Sequence, residues 1–372
     1  MTIRELTFCG FRNLKDGCIR PSEGMNVIYG DNAQGKTNLL ECIWMFNGVR
    51  SFRGAKDSEL VSFQNTSATV SVAFFAEERM QTAQIRILQN KREAVLNGVK
   101  KNSTAELIGK CTSVVFSPEH LTLVKNGPSE RRRFVDGALC RLKPRYAVLF
   151  TRYHKILNQR NALLKDIPRH RELSETLSIW DEKLAQTGAS LLYERFSYID
   201  FLREKARTFH IGISEKKEEL SITYQSGCKV QPGDSVAQME EKLMQSLSLA
   251  KKEDIYTGCT NYGPHRDDIE ILINGIKARN FASQGQQRSA VLSLKLAEAA
   301  VLKERTQENP IILLDDVLSE LDLSRQTYLL NKLQGWQVFI TCCDRSAVQN
   351  LQGGCAFHIS EGEIKNITEH SG

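Results

Sequence analysis

Residues 30–37 combine two glycines with a closing Lys-Thr pair, and they stand between an apolar run and a helical pattern. The apolar residues 25–29 predict a strand, and the spacing of residues 39–44 predicts a helix. Glycines let successive backbone N–H groups surround a phosphate, and the N-terminus of the next helix favours negative charge. The segment therefore predicts a nucleotide-binding α/β domain. The residues expected to bind the nucleotide are Gly30, Asp31, Asn32, Ala33, Gln34, Gly35, Lys36 and Thr37.

Two residues of this loop have further expected roles. Lys36 is expected to reach the β- and γ-phosphates, which makes it a candidate catalytic residue, and the Thr37 hydroxyl is expected to ligate Mg²⁺. The apolar strand 311–314 ends in a second pair of candidates, Asp315 and Asp316, as a Walker B strand does. Asp315 is expected to hold Mg²⁺, and Asp316 is expected to polarise the attacking water. The alternative is a surface Asp pair that ends an ordinary strand; the intact phosphate loop favours the metal site.

A second phosphate-binding candidate is Ser283-Gln284-Gly285-Gln286-Gln287, which precedes a helical pattern at 289–303. Ser283 offers a hydroxyl and Gly285 an accessible backbone at the positive end of a helix dipole. Taken alone, the segment is equally well explained as a helix cap.

The order of these segments resembles the ATP-binding-cassette superfamily: a phosphate loop, a long insertion, Ser-x-Gly-Gln, an acidic strand end, and then Ser319-Glu320-Leu321-Asp322. Within that superfamily, which includes the SMC-like ATPases, the chain resembles the RecF family. The supporting blocks are Phe8-Cys9-Gly10-Phe11-Arg12-Asn13-Leu14, the phosphate loop through Glu41, Arg50-Ser51-Phe52-Arg53, Phe116-Ser117-Pro118-Glu119, Pro128 to Phe134, Tyr262-Gly263-Pro264-His265-Arg266-Asp267-Asp268, and Leu314 to Asp322.

The resemblance implies a head that binds ATP and Mg²⁺ and pairs with a second copy. Each nucleotide would lie between the phosphate loop of one subunit and Ser283, Gly285 and Gln286 of the other, while residues 319–322 cross the interface. The RecF resemblance further implies a cytoplasmic, ATP-switched DNA clamp in DNA replication and recombinational repair. It would act with RecO and RecR to load RecA at single-strand gaps and support the SOS response, on double-stranded and gapped or junction DNA.

Two departures from the superfamily concern catalysis. Asp316 replaces the usual glutamate, and no histidine follows the last core strand, where Thr341-Cys342-Cys343-Asp344 stands. Because proton transfer tolerates little misplacement, the shorter carboxylate predicts slow turnover. We expect a slow, DNA-stimulated ATPase that acts as a switch rather than a metabolic catalyst.

The charge distribution predicts a polyanionic partner. The net charge is +6, but residues 125–160 contain ten Lys or Arg against Glu130 and Asp136. Such a cluster favours sequence-independent contacts with phosphates, although a single residue taken alone more often belongs to a solvated helix face. The candidates for DNA contact are Arg132, Arg141, Lys143, Arg145, Arg152 and Lys155. Arg131 to Arg133 can instead pair with the two nearby acids.

The expected fold is α/β: an ATP-binding-cassette-type P-loop ATPase head with an antiparallel β layer and a mostly helical arm inserted in it. Residues 1–120 form the N-terminal part of the head, and residues 121–255 form the basic helical arm. Residues 256–372 form the C-terminal part, which the resemblance divides into the signature segment (283–287), the Walker B strand (311–316) and the D-loop (319–322). Amphipathic spacing on both sides of Pro168 predicts two arm helices, paired as a short coiled coil or packed ordinarily. Asn97-Gly98 and Asn274-Gly275 predict hairpin turns.

Two rival functions follow from the same motifs. A transport ATPase subunit is disfavoured by the long insertion and the missing histidine, and a chromosome-organising SMC-like ATPase by the short helical arm. No signal-peptide core or apolar stretch of about 18 residues is present, so a cytosolic protein without membrane association is expected. The ten cysteines form no C-x-x-C pair and are expected to be buried reduced thiols, including Cys342 and Cys343. The cluster 265–268 is expected to form a hydrogen-bond network rather than a metal site.

Overall fold

The computed structural model describes residues 1–48, 51–88, 91–343 and 354–370, so Arg50 and Asp344 lie outside the described residues. The chain divides into two compact units: residues 1–121, 212–216 and 291–372 form the first, and residues 122–211 and 217–290 form the second. This division places Ser283, Gly285 and Gln286 in the second unit.

The described strands of the first unit are β1 Thr2–Cys9, β2 Gly17–Ile19, β3 Met25–Tyr29, β4 Ser67–Ala76, β5 Arg79–Leu88, β6 Lys91–Leu96, β7 Val99–Lys101, β8 Ser113–Phe116, β12 Ile311–Leu314, β13 Val338–Cys342, β14 Gly354–Ser360 and β15 Glu363–His370. They form two sheets of six described strands each. An antiparallel sheet has the order β2-β1-β4-β5-β6-β7, and the other has the order β15-β14-β3-β13-β12-β8, with parallel pairing from β14 to β8. The parallel strands are buried, as expected for strands covered on both faces.

Three α-helices lie within the described part of this unit: α1 Lys36–Trp44, α2 Asp57–Leu60 and α10 Leu323–Lys332. Helix α1 packs Leu39, Leu40 and Ile43 into one core with the strands, so the phosphate loop is anchored on both sides. The expected α/β head with an antiparallel layer is confirmed.

The second unit is mostly helical. Its elements are α3 Thr122–Lys125, α4 Pro128–Leu142, α5 Pro144–Asp166, α6 Leu177–Ile213, β9 Leu220–Gln225, α7 Val236–Thr257, β10 Asp268–Ile273, β11 Ile276–Lys277 and α8 Ala278–Phe281. Its strands form one small sheet in the order β11-β10-β9. Helix α9, Gln284–Thr306, begins in this unit and ends in the first. Within the described ranges, none of the helices is both long and apolar enough to cross a bilayer.

Both predicted hairpin turns form. Asn97 and Gly98 adopt φ values of 50° and 77° between β6 and β7, and Asn274 and Gly275 repeat these values between β10 and β11. Two positive φ angles in succession match the twist of the flanking strands. The second arm helix, α6, starts at Leu177 and follows a short 3₁₀ helix at Arg171–Glu175.

A buried polar network holds the second unit together. Arg195 donates from Nε and Nη2 to the Asp136 carboxylate at 2.8 and 2.9 Å, and from Nη1 to the Pro264 carbonyl at 2.6 Å. The Tyr224 hydroxyl donates to Asp267 Oδ2 at 2.9 Å. Burial raises the pKa of the Asp267 carboxyl, whereas hydrogen bonds from the Gly227 N–H and the Tyr224 hydroxyl oppose that rise.

The predicted network around His265 is present in this unit. His265 Nε2 lies 3.0 Å from the Thr260 carbonyl oxygen, which can only accept, so Nε2 carries the proton. Nδ1 therefore accepts from the Tyr153 hydroxyl at 2.8 Å. Burial lowers the pKa of His265 to about 4, which keeps the ring neutral at physiological pH. No group of three or more His, Cys, Asp or Glu side chains suited to a metal occurs among the described residues.

The lowered pKa of His265 predicts that the folded protein loses stability in acid. Its pKa is about 4 when folded and near 6.5 when unfolded, so its contribution to stability is present above pH 6.5 and is lost as the pH falls toward 4. Between pH 7 and pH 5 we expect the free energy of unfolding to fall by about 2 kcal/mol more in the wild type than in His265→Gln. Urea titrations of both proteins at the two pH values measure the difference. Equal losses would contradict this role.

Candidate nucleotide-binding site

The phosphate loop connects β3 to α1, and its two glycines have conformations that other residues rarely adopt. Gly30 has a φ of 149°, and a Cβ atom there would lie 2.2 Å from the Ile359 carbonyl oxygen. Gly35 has a φ of 114°, and its Cβ would lie 2.8 Å from Leu14 Cδ2. Both the backbone angle and the lack of space therefore require glycine. The loop forms where the sequence predicts it.

Lys36 is buried at the start of α1, with 5% of its surface exposed. Its ammonium donates to the carbonyl oxygens of Gly30 and Asp31 at 2.6 and 2.9 Å. These bonds hold a buried positive charge against the backbone of the loop. A phosphate in this loop would meet that charge without an ordering cost for the lysine side chain.

Thr37 and Asp315 meet at the end of β12. The Thr37 hydroxyl donates to Asp315 Oδ1 at 2.8 Å, and the Thr341 hydroxyl donates to the same oxygen at 2.9 Å. Burial raises the pKa of Asp315, the two hydroxyl hydrogen bonds lower it, and the charge of Asp316 raises it further. The Thr37 hydroxyl and the Asp315 carboxylate are oxygen ligands of the kind that Mg²⁺ binds. A bound cation would also favour the ionised form of the Asp315 carboxyl.

Asp316 has an unusual backbone conformation. Its φ is 52°, in the left-handed region. The Asp316 N–H donates to the Thr341 hydroxyl at 2.9 Å, and its carbonyl accepts from the Ser319 hydroxyl at 2.7 Å. Thr341 thus orients both acidic residues. Sequence reasoning assigned no role to Thr341, although it occupies the end of β13, the strand beside β12.

A hairpin turn supports the loop from the other side. The Glu361 N–H donates to Gln34 Oε1 at 2.5 Å, and the Gly362 N–H donates to the Gln34 carbonyl at 3.1 Å. Gly362 also accepts from the Lys15 N–H at 2.9 Å. A Cβ at Gly362 would lie 2.0 Å from the Asn13 carbonyl oxygen. The C-terminal hairpin therefore fixes the phosphate loop, a contact that no local sequence pattern indicates.

Cys343 corrects one expectation. Cys342 is buried as predicted, but Cys343 is exposed, because the chain leaves β13 at this point. The expectation of burial also fails for Cys9 and Cys18, which are exposed, and for Cys140 and Cys259, which are half-buried. The Cys343 sulfur lies 3.2 Å from Asn32 Oδ1 and 3.9 Å from Lys36 Nζ. Its thiol therefore borders the phosphate loop.

The signature candidates lie in the second unit, at the start of α9. The Ser283 N–H donates to Gln286 Oε1 at 2.8 Å, and the Gln286 N–H donates to Ser283 Oγ at 3.2 Å. These reciprocal bonds form a capping box. A role as helix cap and a role in binding phosphate are therefore compatible for Ser283, because a hydroxyl that accepts one hydrogen bond still has a proton to donate. Ser283 is exposed, and Gly285 and Gln286 are half-buried.

The basic candidates separate into exposed and engaged side chains. Arg145, Arg152 and Lys155 are exposed on α5. Arg132 donates to the Asp267 carbonyl at 2.6 Å, and Lys143 lies 2.5 Å from Glu194. Further basic residues of the same segment are buried: Arg131 is paired with Asp268, Arg160 is paired with Asp181 and Asp254, and Arg141 is 5% exposed. Burial places Arg141 away from a DNA-facing surface in this structure.

The parallel sheet, its phosphate loop and the Asp315–Thr37–Thr341 cluster define a P-loop ATPase head of the ATP-binding-cassette type. The family model for the RecF/RecN/SMC N terminal domain matches residues 2–365. Two relatives called DNA replication and repair protein RecF, from Acetivibrio thermocellus and Caldanaerobacter subterraneus subsp. tengcongensis, are 38% and 40% identical. They align over 96% and 98% of this chain and 98% and 99% of their own length. The chain belongs to the RecF family.

Solved structures agree with this assignment. The recombination mediator protein RecF-ATPrS in the RecFOR pathway is 39% identical, with a TM-score of 0.92 over 98% of this chain and 97% of the other. The RecF-ATP structure has a TM-score of 0.91 at 38% sequence identity, over 100% of this chain and 98% of the other. An Smc head bound to the C-winged helix domain of ScpA gives 0.56 at 14% identity, which shows a shared fold alone.

Proposed function

We propose that this protein is an ATP-controlled DNA-binding protein of DNA replication and recombinational repair that acts in the cytoplasm at single-strand gaps. The main support is the Lys36, Thr37 and Asp315 cluster in a chain that is 38–40% identical to proteins called DNA replication and repair protein RecF. The RecFOR pathway named for the related structures supports RecO and RecR as partners, with RecA loading and the SOS response as the process served.

Each side chain has a defined task in this proposal. Bound ATP-Mg²⁺ supplies the phosphoanhydride and the metal charge. Lys36 binds phosphate, while Thr37 and Asp315 hold the metal. Asp316 orients water from a backbone fixed by Thr341, and its short side chain makes hydrolysis slow. Ser283, Gly285 and Gln286 contact the nucleotide of a second copy, so ATP stabilises the dimer and hydrolysis releases it.

The DNA-binding surface proposed here is narrower than the sequence predicted. It consists of the exposed α5 residues Arg145, Arg152 and Lys155, with Arg132 and Lys143 at its edge. Residues seven and then three positions apart lie on one face of a helix, so these three cations can follow a phosphate backbone. A chromosome-organising ATPase has weaker support, because the Smc head shares only 14% identity with this chain. A transport ATPase is disfavoured by the long insertion in the sequence.

A salt titration of DNA binding tests this proposal. Each phosphate contact contributes about 0.9 to the slope of log K against log salt concentration, so replacing Arg145, Arg152 and Lys155 together by alanine should reduce that slope by about three. The matched control replaces Arg20, Arg79 and Lys91, which are exposed cations of the first unit. Binding should be measured with gapped, double-stranded and single-stranded DNA, with and without ATP. An unchanged slope in the triple alanine variant would contradict the proposed DNA-binding surface. A DNA affinity that does not change with ATP would contradict the proposal that ATP controls DNA binding.

A further inference from the structure

Glu218 joins the signature segment to helix α6. Its Oε1 accepts from Gln286 Nε2 at 2.9 Å, and its Oε2 lies 3.3 Å from Nε2 of His210, a fully buried residue near the end of α6. The Glu218 side chain is itself only 20% exposed. One carboxylate therefore contacts both α6 and the start of α9.

The Gln286 side-chain amide connects Glu218 to Ser283. Its Nε2 is used by Glu218, and its Oε1 accepts from the Ser283 N–H at 2.8 Å. An amide group is planar, so fixing the nitrogen also fixes the direction of the oxygen. Rotation of the Gln286 side chain away from Glu218 would break the bond to Ser283 as well.

We propose that Glu218 is a positioning residue of the signature segment. Through Gln286 it holds Ser283 in the orientation needed to meet the nucleotide of a second copy. The inference rests on the proposed function, because it requires the signature segment to act in trans. A hydrogen bond to a charged acceptor is stronger than one between neutral groups, which explains why a carboxylate suits this position.

Four proteins test the assignment: the wild type, Glu218→Ala, Glu218→Gln and the matched control Glu219→Ala. Glu219 neighbours Glu218, is 63% exposed and pairs with Arg207. We expect Glu218→Ala to bind a fluorescent ATP analogue with wild-type affinity, because its own phosphate loop is intact. Its ATP-dependent dimerisation, measured by sedimentation velocity, should weaken about tenfold. Glu218→Gln retains an oxygen that can accept from Gln286 and should recover most of that loss, and Glu219→Ala should match the wild type.

Mixing separates a signature defect from general damage. Lys36→Met has a defective phosphate loop and an intact signature, so its mixed dimer with Glu218→Ala contains one complete site. ATPase activity of the mixture should exceed that of either variant alone. Weakened nucleotide binding by Glu218→Ala, or no gain on mixing, would overturn the inference.

The wild type separates the two levels of the proposal. A wild type that stays monomeric with saturating ATP would contradict the proposed function itself. A wild type and a Glu218→Ala variant that dimerise equally well would overturn the role of Glu218 alone.

Discussion

Replacing Lys36 with methionine is expected to weaken ATP binding by about 100-fold, close to 3 kcal/mol, and to abolish ATP-dependent dimerisation. The lysine is buried, and its ammonium is already held by the Gly30 and Asp31 carbonyls, so the wild type presents an ordered charge to the phosphates. Methionine fills similar volume without that charge. Titration with a fluorescent ATP analogue measures the loss.

The matched control for this variant is Lys91→Met. Lys91 is an exposed lysine of the antiparallel sheet and pairs with Glu93. The Lys91→Met variant should bind nucleotide as the wild type does. The loss of ATP affinity in Lys36→Met would then be due to the phosphate loop and not to the loss of a positive charge in general. Normal ATP affinity in Lys36→Met would show that the loop does not bind the phosphates.

Replacing Arg195 with methionine is expected to lower the free energy of unfolding by about 3–5 kcal/mol. Arg195 is 2% exposed and pairs with Asp136, which also accepts from the Tyr146 hydroxyl at 2.6 Å. Without the guanidinium, the Asp136 charge and the Pro264 carbonyl remain buried with fewer partners. Urea denaturation followed by circular dichroism measures the change.

Arg207→Met is the control on the same helix. Arg207 is half exposed and pairs with Glu219 at 3.0 Å, a geometry that contributes less than about 1 kcal/mol. Equal shifts in the urea midpoints of the two variants would mean that the buried network does not hold the second unit together.

The sequence predicted the elements that follow from local pattern. Met25–Tyr29 and Ile311–Leu314 appear as strands with the predicted bounds, because apolar runs bounded by turns suit buried parallel strands. The hairpin turns at 97–98 and 274–275 form for an equally local reason, since asparagine and glycine tolerate positive φ.

Contacts between distant segments were not predictable in this way. Thr341 orients Asp315 and Asp316 from a neighbouring strand, and Gly362 supports Gln34 from the other end of the chain. Neither residue lies in a local sequence pattern that differs from that of an ordinary strand end or turn. The same limit applies to Arg141 and Arg160: a charge count cannot separate exposed arginines from those that tertiary packing buries.

Sedimentation velocity of the wild-type protein, with and without saturating ATP and Mg²⁺, tests the central claim most directly. A site shared between two copies predicts a monomer without nucleotide and a dimer with it, since the signature residues of each copy complete the nucleotide site of the other. A protein that has bound ATP, as shown by the fluorescent analogue, and still sediments as a monomer would contradict the shared site.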